Sequence, residues 1–360
     1  MIAKEISLEN FRNYESQKIE LSPGVNVFYG KNAQGKTNIL ESVGLFAGVK
    51  SYRGAKDSEM INFEADSSHI SLLFESHERE FLSEIYIQKG KKKKIKVNGV
   101  GKKSISSLAD YFSVIMFSPD DLNMVKGSPS ERRKMMDTAI SSLKPAYISV
   151  INEYNKILEN KNKLLKNENE QDDMINIWNE RLSETGARII SYRKSFIDVL
   201  TPVMKKFHSK IAEGENLEIY YKTIDCKLSD EKEIKDFLFS KMKKNIKKEK
   251  NAGFSLYGPH KDDIEFFING NDAKIFGSQG QQRTLVLGIM LSRIEIEKQI
   301  KGEYPVLLLD DVLSELDLNR QNFLLEKIKN HQVLITCTES DFLFKSEENK
   351  LFKVEKGRII

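Results

Sequence analysis

The stretch Gly30-Lys31-Asn32-Ala33-Gln34-Gly35-Lys36-Thr37 constrains this chain more than any other. It satisfies G-x-x-x-x-G-K-[ST] at every fixed position, and its context separates a phosphate loop from a chance match. Before it, Val25-Asn26-Val27-Phe28-Tyr29 reads as a short β-branched and aromatic strand entered through Pro23-Gly24. Beyond it, Ile39, Leu40, Val43 and Phe46 fall on one face at helical spacing. Gly30 and Gly35 permit the tight turn that aims several backbone N–H groups inward at a phosphate. The new helix adds its positive end to the same spot. Strand, loop and helix in this order predict binding of a nucleoside triphosphate. Lys36 is expected at the β- and γ-phosphates and Thr37 at Mg²⁺. Lys31, Asn32, Ala33, Gln34 and Asn38 complete the expected cradle with the two glycines.

A phosphate loop needs a metal-side partner downstream. Pro305-Val306-Leu307-Leu308-Leu309-Asp310-Asp311 reads as a buried parallel strand ending in two carboxylates, followed by Ser314-Glu315-Leu316-Asp317. Asp310 is expected to hold Mg²⁺ with Thr37, and Asp311 to orient or deprotonate an attacking water. Between loop and acidic strand, Ser278-Gln279-Gly280-Gln281-Gln282-Arg283 opens a strongly apolar helix. Ser278 is placed as its N-cap, and Gly280 bares backbone at the positive end. Taken alone, this is a well-capped core helix. Arg12, close in sequence to the loop's own strand, reads equally well as a phosphate contact or a surface arginine.

At 360 residues the chain can bury a substantial core and is expected to hold two lobes. Residues 70–97 alternate with period two, and Asn98-Gly99 is a strong hairpin signal, so an antiparallel sheet is expected beside the nucleotide core. Ser128 as N-cap, Pro129 at the first helical position and Glu131 form a capping-box signature. A helical region follows, with Trp178, Leu182, Thr185, Ile189, Tyr192, Phe196, Val199, Val203 and Phe207 at steps of four and three. With the preceding Ile151, Tyr154, Leu158 and Leu165, this predicts an antiparallel helical hairpin turning between Asn167 and Asp173, or one side of an ordinary bundle. Ser229 is expected to cap a short helix after it. The partition expected is 1–127 and 256–360 as an α/β ATPase lobe with a mixed sheet, and 128–255 as an inserted helical lobe.

The net charge of +4 conceals a high density of both signs, so basicity matters locally. Eight lysines and no acid lie between Lys89 and Lys103. Among them Lys91, Lys92, Lys93 and Lys94 suit the backbone of a polyanion such as DNA, although a solvated charged loop has the same composition. Lys241 to Lys250 is a second cluster of this kind. Tyr257-Gly258-Pro259-His260-Lys261-Asp262-Asp263 is a turn rich in functional groups, in which His260 is a DNA contact or a turn residue. Cys226 and Cys337 lack metal-ligand spacing and read as reduced thiols. No apolar run approaches a membrane span, and Met1-Ile2-Ala3 leads directly into a strand, so a cytoplasmic protein is expected.

Phosphate loop, Ser-x-Gly-Gln helix, Asp-Asp strand and Ser-Glu-Leu-Asp follow the order of the ABC-type ATPases, notably their DNA-repair and chromosome-maintenance branch. The match extends to Leu8-Glu9-Asn10-Phe11-Arg12-Asn13-Tyr14, SPDDLNMVKGSPSERR, YGPHKDD, SQGQQR and LLLDDVLSELD, which together resemble the RecF family of bacterial recombination mediators. That resemblance implies ATP and Mg²⁺ as ligands and a head-to-head homodimer. Ser278, Gly280 and Gln281 of one subunit would close on the nucleotide held by Lys36 and Thr37 of the other. It also implies DNA as partner, RecO and RecR-type mediators, and roles in gap repair, replication and SOS induction. Asp311 stands where transporters carry Glu, and Thr336 where they place His. Both departures suggest slow turnover, and the resemblance implies a weak, DNA-stimulated ATPase working as a switch. The alternatives are another ABC-type subunit, of a transporter or a nuclease, and a small-molecule P-loop kinase. A nuclease partner would call for a long arm with a zinc-binding CxxC, which this sequence lacks.

Overall fold

The computed structural model describes residues 1–48, 51–167, 171–224, 230–338 and 349–360. The chain divides into two compact units, one of residues 1–122 with 286–360, the other of residues 123–285. The second boundary falls inside the helix Gln279–Lys301. Residues 256–285, grouped from sequence with the C-terminal part of the ATPase lobe, thus lie in the unit of residues 123–285.

Among the described residues the first unit holds two six-stranded sheets. The nucleotide-type sheet runs in the order Arg358–Ile359, Lys350–Glu355, Val25–Tyr29, Val333–Cys337, Val306–Asp310, Val114–Phe117. All its pairings are parallel except the terminal hairpin. Val306–Asp310 is buried at all positions, as a parallel strand covered on both faces requires. The helix Lys36–Gly44 leaves the central strand Val25–Tyr29 through the phosphate loop and buries Ile39, Leu40 and Val43. The second sheet is antiparallel: Tyr14–Glu20, Ile2–Phe11, Ser67–Ser76, Arg79–Gln88, Lys94–Val97, Val100–Lys102. Ser67–Ser76 alternates strictly between buried and half-buried positions. Asn98 and Gly99 both take left-handed φ, 48° and 77°, as the two-residue hairpin demands.

The second unit is built on the helices Ala146–Leu165 and Asp172–Ile211, which pack together as the expected hairpin. Its turn includes residues 168–170, outside those described. Ser128 forms the expected capping box: its N–H donates to Glu131 Oε2 at 2.8 Å, with Pro129 opening the helix. Ser229 and Cys226 lie outside the described residues. The helix Glu231–Lys244 is capped by Asp230, whose carboxylate accepts from Lys232 N and Glu233 N.

The apolar stripe of Asp172–Ile211 is broader than a heptad seam. Leu182, Thr185, Ile189 and Phe196 are buried as expected, but Val199 is 43% exposed, and Ile190, Ile197, Leu200 and Met204 are buried instead. Ala146–Leu165 and Glu231–Lys244 both pack on this helix. Two partners cover a wider face than the single seam the spacing implies. Among the described residues no helix is long and apolar enough to cross a membrane.

Candidate nucleotide site

In the first unit the fold joins the two motifs that the sequence keeps furthest apart. Thr37 Oγ1 donates to Asp310 Oδ1 at 2.8 Å across 273 positions. The parallel sheet explains the meeting: Val25–Tyr29 and Val306–Asp310 flank Val333–Cys337 in register, so the phosphate loop and the acidic pair emerge at the same edge. Thr336, on the strand between them, donates its hydroxyl to Asp310 Oδ1 at 2.7 Å and accepts from Asp311 N at 2.9 Å. From sequence Thr336 reads only as the absence of a histidine; in the fold it ties both acids to the sheet. Asp311 holds a left-handed φ of 54°, a strained conformation for a residue with a Cβ and one common at reacting centres. Burial pushes its carboxyl above the usual range, helped by Asp310 and Glu315 and opposed by Lys36. That direction suits a group that must accept a proton.

Lys36 is buried, its ammonium donating to the carbonyls of Gly30 and Lys31. Lys31, Asn32 and Ala33 are exposed at the tip of the loop. Ala33 takes φ 64°, Gly30 148° and Gly35 115°. A Cβ on Gly30 would come within 2.4 Å of the Val354 carbonyl oxygen, so only glycine fits there. Gln34 and Asn38 are both held by Asn13: its amide donates to the Gln34 carbonyl at 2.9 Å, and its Oδ1 accepts from Asn38 Nδ2 at 2.8 Å. Thr37 and Asp310 offer a hydroxyl and a carboxylate oxygen side by side. This hard-oxygen pair fits Mg²⁺, which takes few protein ligands and fills its remaining positions with phosphate and water.

Arg12 does not stand free beside the loop. Its Nε and Nη2 form a bidentate pair with Glu41 at 2.9 and 2.8 Å, and its Nη1 donates to the Glu59 carbonyl at 2.7 Å. Glu41 is fully buried and also accepts from the Ser51 hydroxyl. An unpaired carboxylate there would be costly, so the guanidinium is committed to it. Sequence reasoning missed Glu41. The available signal was an acid beside Leu40 and Val43 on the buried face of the helix.

In the second unit, the signature segment caps its helix reciprocally: Gln281 N donates to Ser278 Oγ at 3.2 Å and Ser278 N to Gln281 Oε1 at 2.9 Å. Gln281 Nε2 donates to Glu215 at 2.8 Å, so its side chain is occupied. Ser278 is exposed and Gly280 half-buried.

YGPHKDD is a structural element in the same unit. Asp263 receives a bidentate pair from Arg132 at 2.6 and 2.9 Å, Arg133 donates to the Asp262 carbonyl, and Arg193 reaches Asp262 Oδ2 at 3.3 Å. His260 takes the turn-residue role, with both ring nitrogens occupied inside the unit: Nδ1 pairs with Tyr154 OH at 2.6 Å and Nε2 with the Ser255 carbonyl at 3.0 Å. Since the carbonyl can only accept, Nε2 carries a proton. Burial pushes the His260 pKa from 6.5 down to about 4. A denatured chain therefore binds the proton more readily than the folded one. The stability this histidine contributes is complete above pH 6.5 and is lost as pH falls towards 4. Acidification across that window is expected to cost this unit about 3 kcal/mol through His260. Urea melts at pH 7 and pH 4.5 check it: the pH difference should shrink by about that amount in His260→Gln.

The comparisons with known proteins agree with this geometry. The family described as RecF/RecN/SMC N terminal domain matches residues 2–359. The DNA replication and repair protein RecF of Clostridium beijerinckii is 43% identical over 363 residues, spanning 100% of this chain and 98% of its own. This chain belongs to the RecF family. RecF of Acetivibrio thermocellus is 41% identical over 367 residues, 99% of each chain. A solved structure of the recombination mediator protein RecF-ATP in the RecFOR pathway superposes with a TM-score of 0.91 at 38% identity, over 100% of this chain and 97% of that one. An Smc head domain from Pyrococcus furiosus shares the fold, with a TM-score of 0.56 at 14% identity over 100% of this chain and 96% of its own. The α/β ATPase-head fold expected from the motifs is the observed one, and the transporter, nuclease and kinase alternatives are not favoured.

Proposed function

We propose that this RecF-family chain is an ATP-dependent DNA-binding protein of recombinational gap repair and replication. In this reading it serves in the cytoplasm beside RecO and RecR-type mediators and contributes to SOS induction. The observation that carries the reading is the Thr37–Asp310–Thr336 link, which puts a metal-side carboxylate at the mouth of a phosphate loop. ATP would lie in the cradle of residues 30–38, with Lys36 against its terminal phosphates. Mg²⁺, held by Thr37 and Asp310, would neutralise phosphate charge. Asp311 would accept a proton from the attacking water, and the slow hydrolysis suggested by Asp311 and Thr336 would act as a switch.

A nucleotide bound this way becomes the bridge of a C2 homodimer, with the exposed Ser278 and the half-buried Gly280 of one subunit against the γ-phosphate of the other. Size-exclusion chromatography tests this. ATP should shift the wild type from monomer to dimer, and Ser278→Arg should remain monomeric while still binding ATP. An elution volume indifferent to ATP overturns the dimer.

DNA binding is assigned to the lysine-rich hairpin between Arg79–Gln88 and Lys94–Val97. Lys91, Lys92 and Lys94 are exposed, whereas Lys93 is paired with Asp57 at 2.8 Å and contributes less. Neutralising Lys91, Lys92 and Lys94 together should reduce the slope of log K against log salt by about 2–3. An unchanged slope on gapped and intact duplex would leave these lysines as solvated surface.

A further inference from the structure

We infer that the turn of the C-terminal hairpin is a working part of the nucleotide site: Lys356 and Gly357, with Asn13, are positioning residues that set the phosphate loop through Gln34. The inference rests on the triphosphate-binding reading above and concerns residues outside the phosphate-loop motif.

The contacts converge on one peptide. The Gln34 carbonyl accepts from Gly357 N at 3.0 Å and from Asn13 Nδ2 at 2.9 Å, while Gln34 Oε1 accepts from Lys356 N at 2.8 Å. The next carbonyl, that of Gly35, accepts from Tyr14 OH at 3.1 Å. In a trans peptide, C=O and N–H point in opposite directions. Anchoring the Gln34 carbonyl to the flank therefore aims the Gly35 N–H the other way, the orientation a phosphate cradle requires. The Gly35 carbonyl also accepts from Asn38 N at 3.0 Å and Ile39 N at 3.4 Å, so flank and helix together orient the Lys36 N–H. The same hairpin closes on the start of the loop, where the Val354 carbonyl lies against Gly30.

The fit of the turn leaves little freedom. Gly357 takes φ 72°, and a Cβ there would lie 2.0 Å from the Asn13 carbonyl oxygen. That carbonyl belongs to a residue that itself holds Gln34, so any side chain at 357 pushes on both halves of the clamp. The hairpin is secured independently: Phe352 stacks on Phe28 at 4.9 Å between centroids, and Ile359 N donates to Gln17 Oε1 at 3.1 Å. Damage at the turn should therefore disturb the loop more than the fold.

The experiment uses the full chain and a fluorescent ATP analogue. Gly357→Ala and Asn13→Ala should each weaken binding about tenfold or more, the consequence of losing an anchored polar contact. Ligand-free melting should stay within a few degrees of wild type, and single-turnover hydrolysis at saturating ATP should be little changed, as for an effect on binding. Because both residues act on one carbonyl, the double variant should be clearly less than multiplicatively impaired. Wild-type affinity in both single variants, or affinity lost only in step with melting temperature, overturns the inference and leaves a structural hairpin. Absence of binding by the wild type itself overturns the triphosphate reading instead.

Discussion

Replacing Arg193 by methionine is expected to destabilise the unit of residues 123–285 by about 3 kcal/mol, the cost of leaving the buried Asp262 and the half-buried Asp137 without their cation. Arg193 projects from the helix Asp172–Ile211 with a side chain only 4% exposed. Its Nε and Nη2 bind both oxygens of Asp137 at 3.0 and 3.1 Å, and its Nη1 donates to the Pro259 carbonyl at 2.7 Å and to Asp262 Oδ2 at 3.3 Å. Tyr147 donates to Asp137 at 2.7 Å, and Tyr221 to Asp262. Burial works against the guanidinium charge, but Asp137, Tyr147, Tyr221 and Asp262 outweigh it and raise the pKa above its ordinary value. Methionine keeps the apolar stem and removes every donor, so the loss reports the network rather than a cavity. Trp178, the chain's single tryptophan, belongs to this unit, so its fluorescence during urea unfolding reads the effect locally. A loss under about 1 kcal/mol would mean that water and neighbouring donors replace the arginine.

Lys36→Met is expected to weaken ATP binding by about a hundredfold, and Asp310→Asn to abolish any benefit of Mg²⁺ to that binding. A buried ammonium already inside the loop pays little reorganisation when phosphates arrive, so its charge acts at short range. Methionine preserves its length, which distinguishes lost charge from a collapsed loop. Titration of a fluorescent ATP analogue with and without Mg²⁺ separates the two variants. Lys36→Met should lose affinity in both conditions, Asp310→Asn only in the presence of the ion. ATP affinity unchanged by Lys36→Met would remove the loop from the mechanism.

The phosphate loop, the acidic strand and the capped signature helix were legible because each is local. A turn that presents consecutive N–H groups needs glycines at fixed spacing, and a strand covered on both faces needs an unbroken apolar run. The Ser128 capping box and the Asn98-Gly99 hairpin belong to the same class, since each is closed within four residues. Arg12 was ambiguous for the opposite reason. A long cationic side chain takes whichever partner packing brings within reach, and here that is a buried glutamate 29 positions away. Likewise His260 looked available in sequence, until the segment carrying Tyr154 and the Ser255 carbonyl closed on its ring.

The sequence by itself determined which backbone segments could cradle a phosphate, which strand would end in acid, and to which family the motifs point. Tertiary structure alone decided which of those groups meet. The parallel sheet carried Thr37 to Asp310, the helix partners widened the stripe of Asp172–Ile211, and the last hairpin came to rest on Gln34. Local patterns are set by periodicity and backbone geometry over a few residues. Pairings across hundreds of residues are set by register and packing, which no single segment encodes.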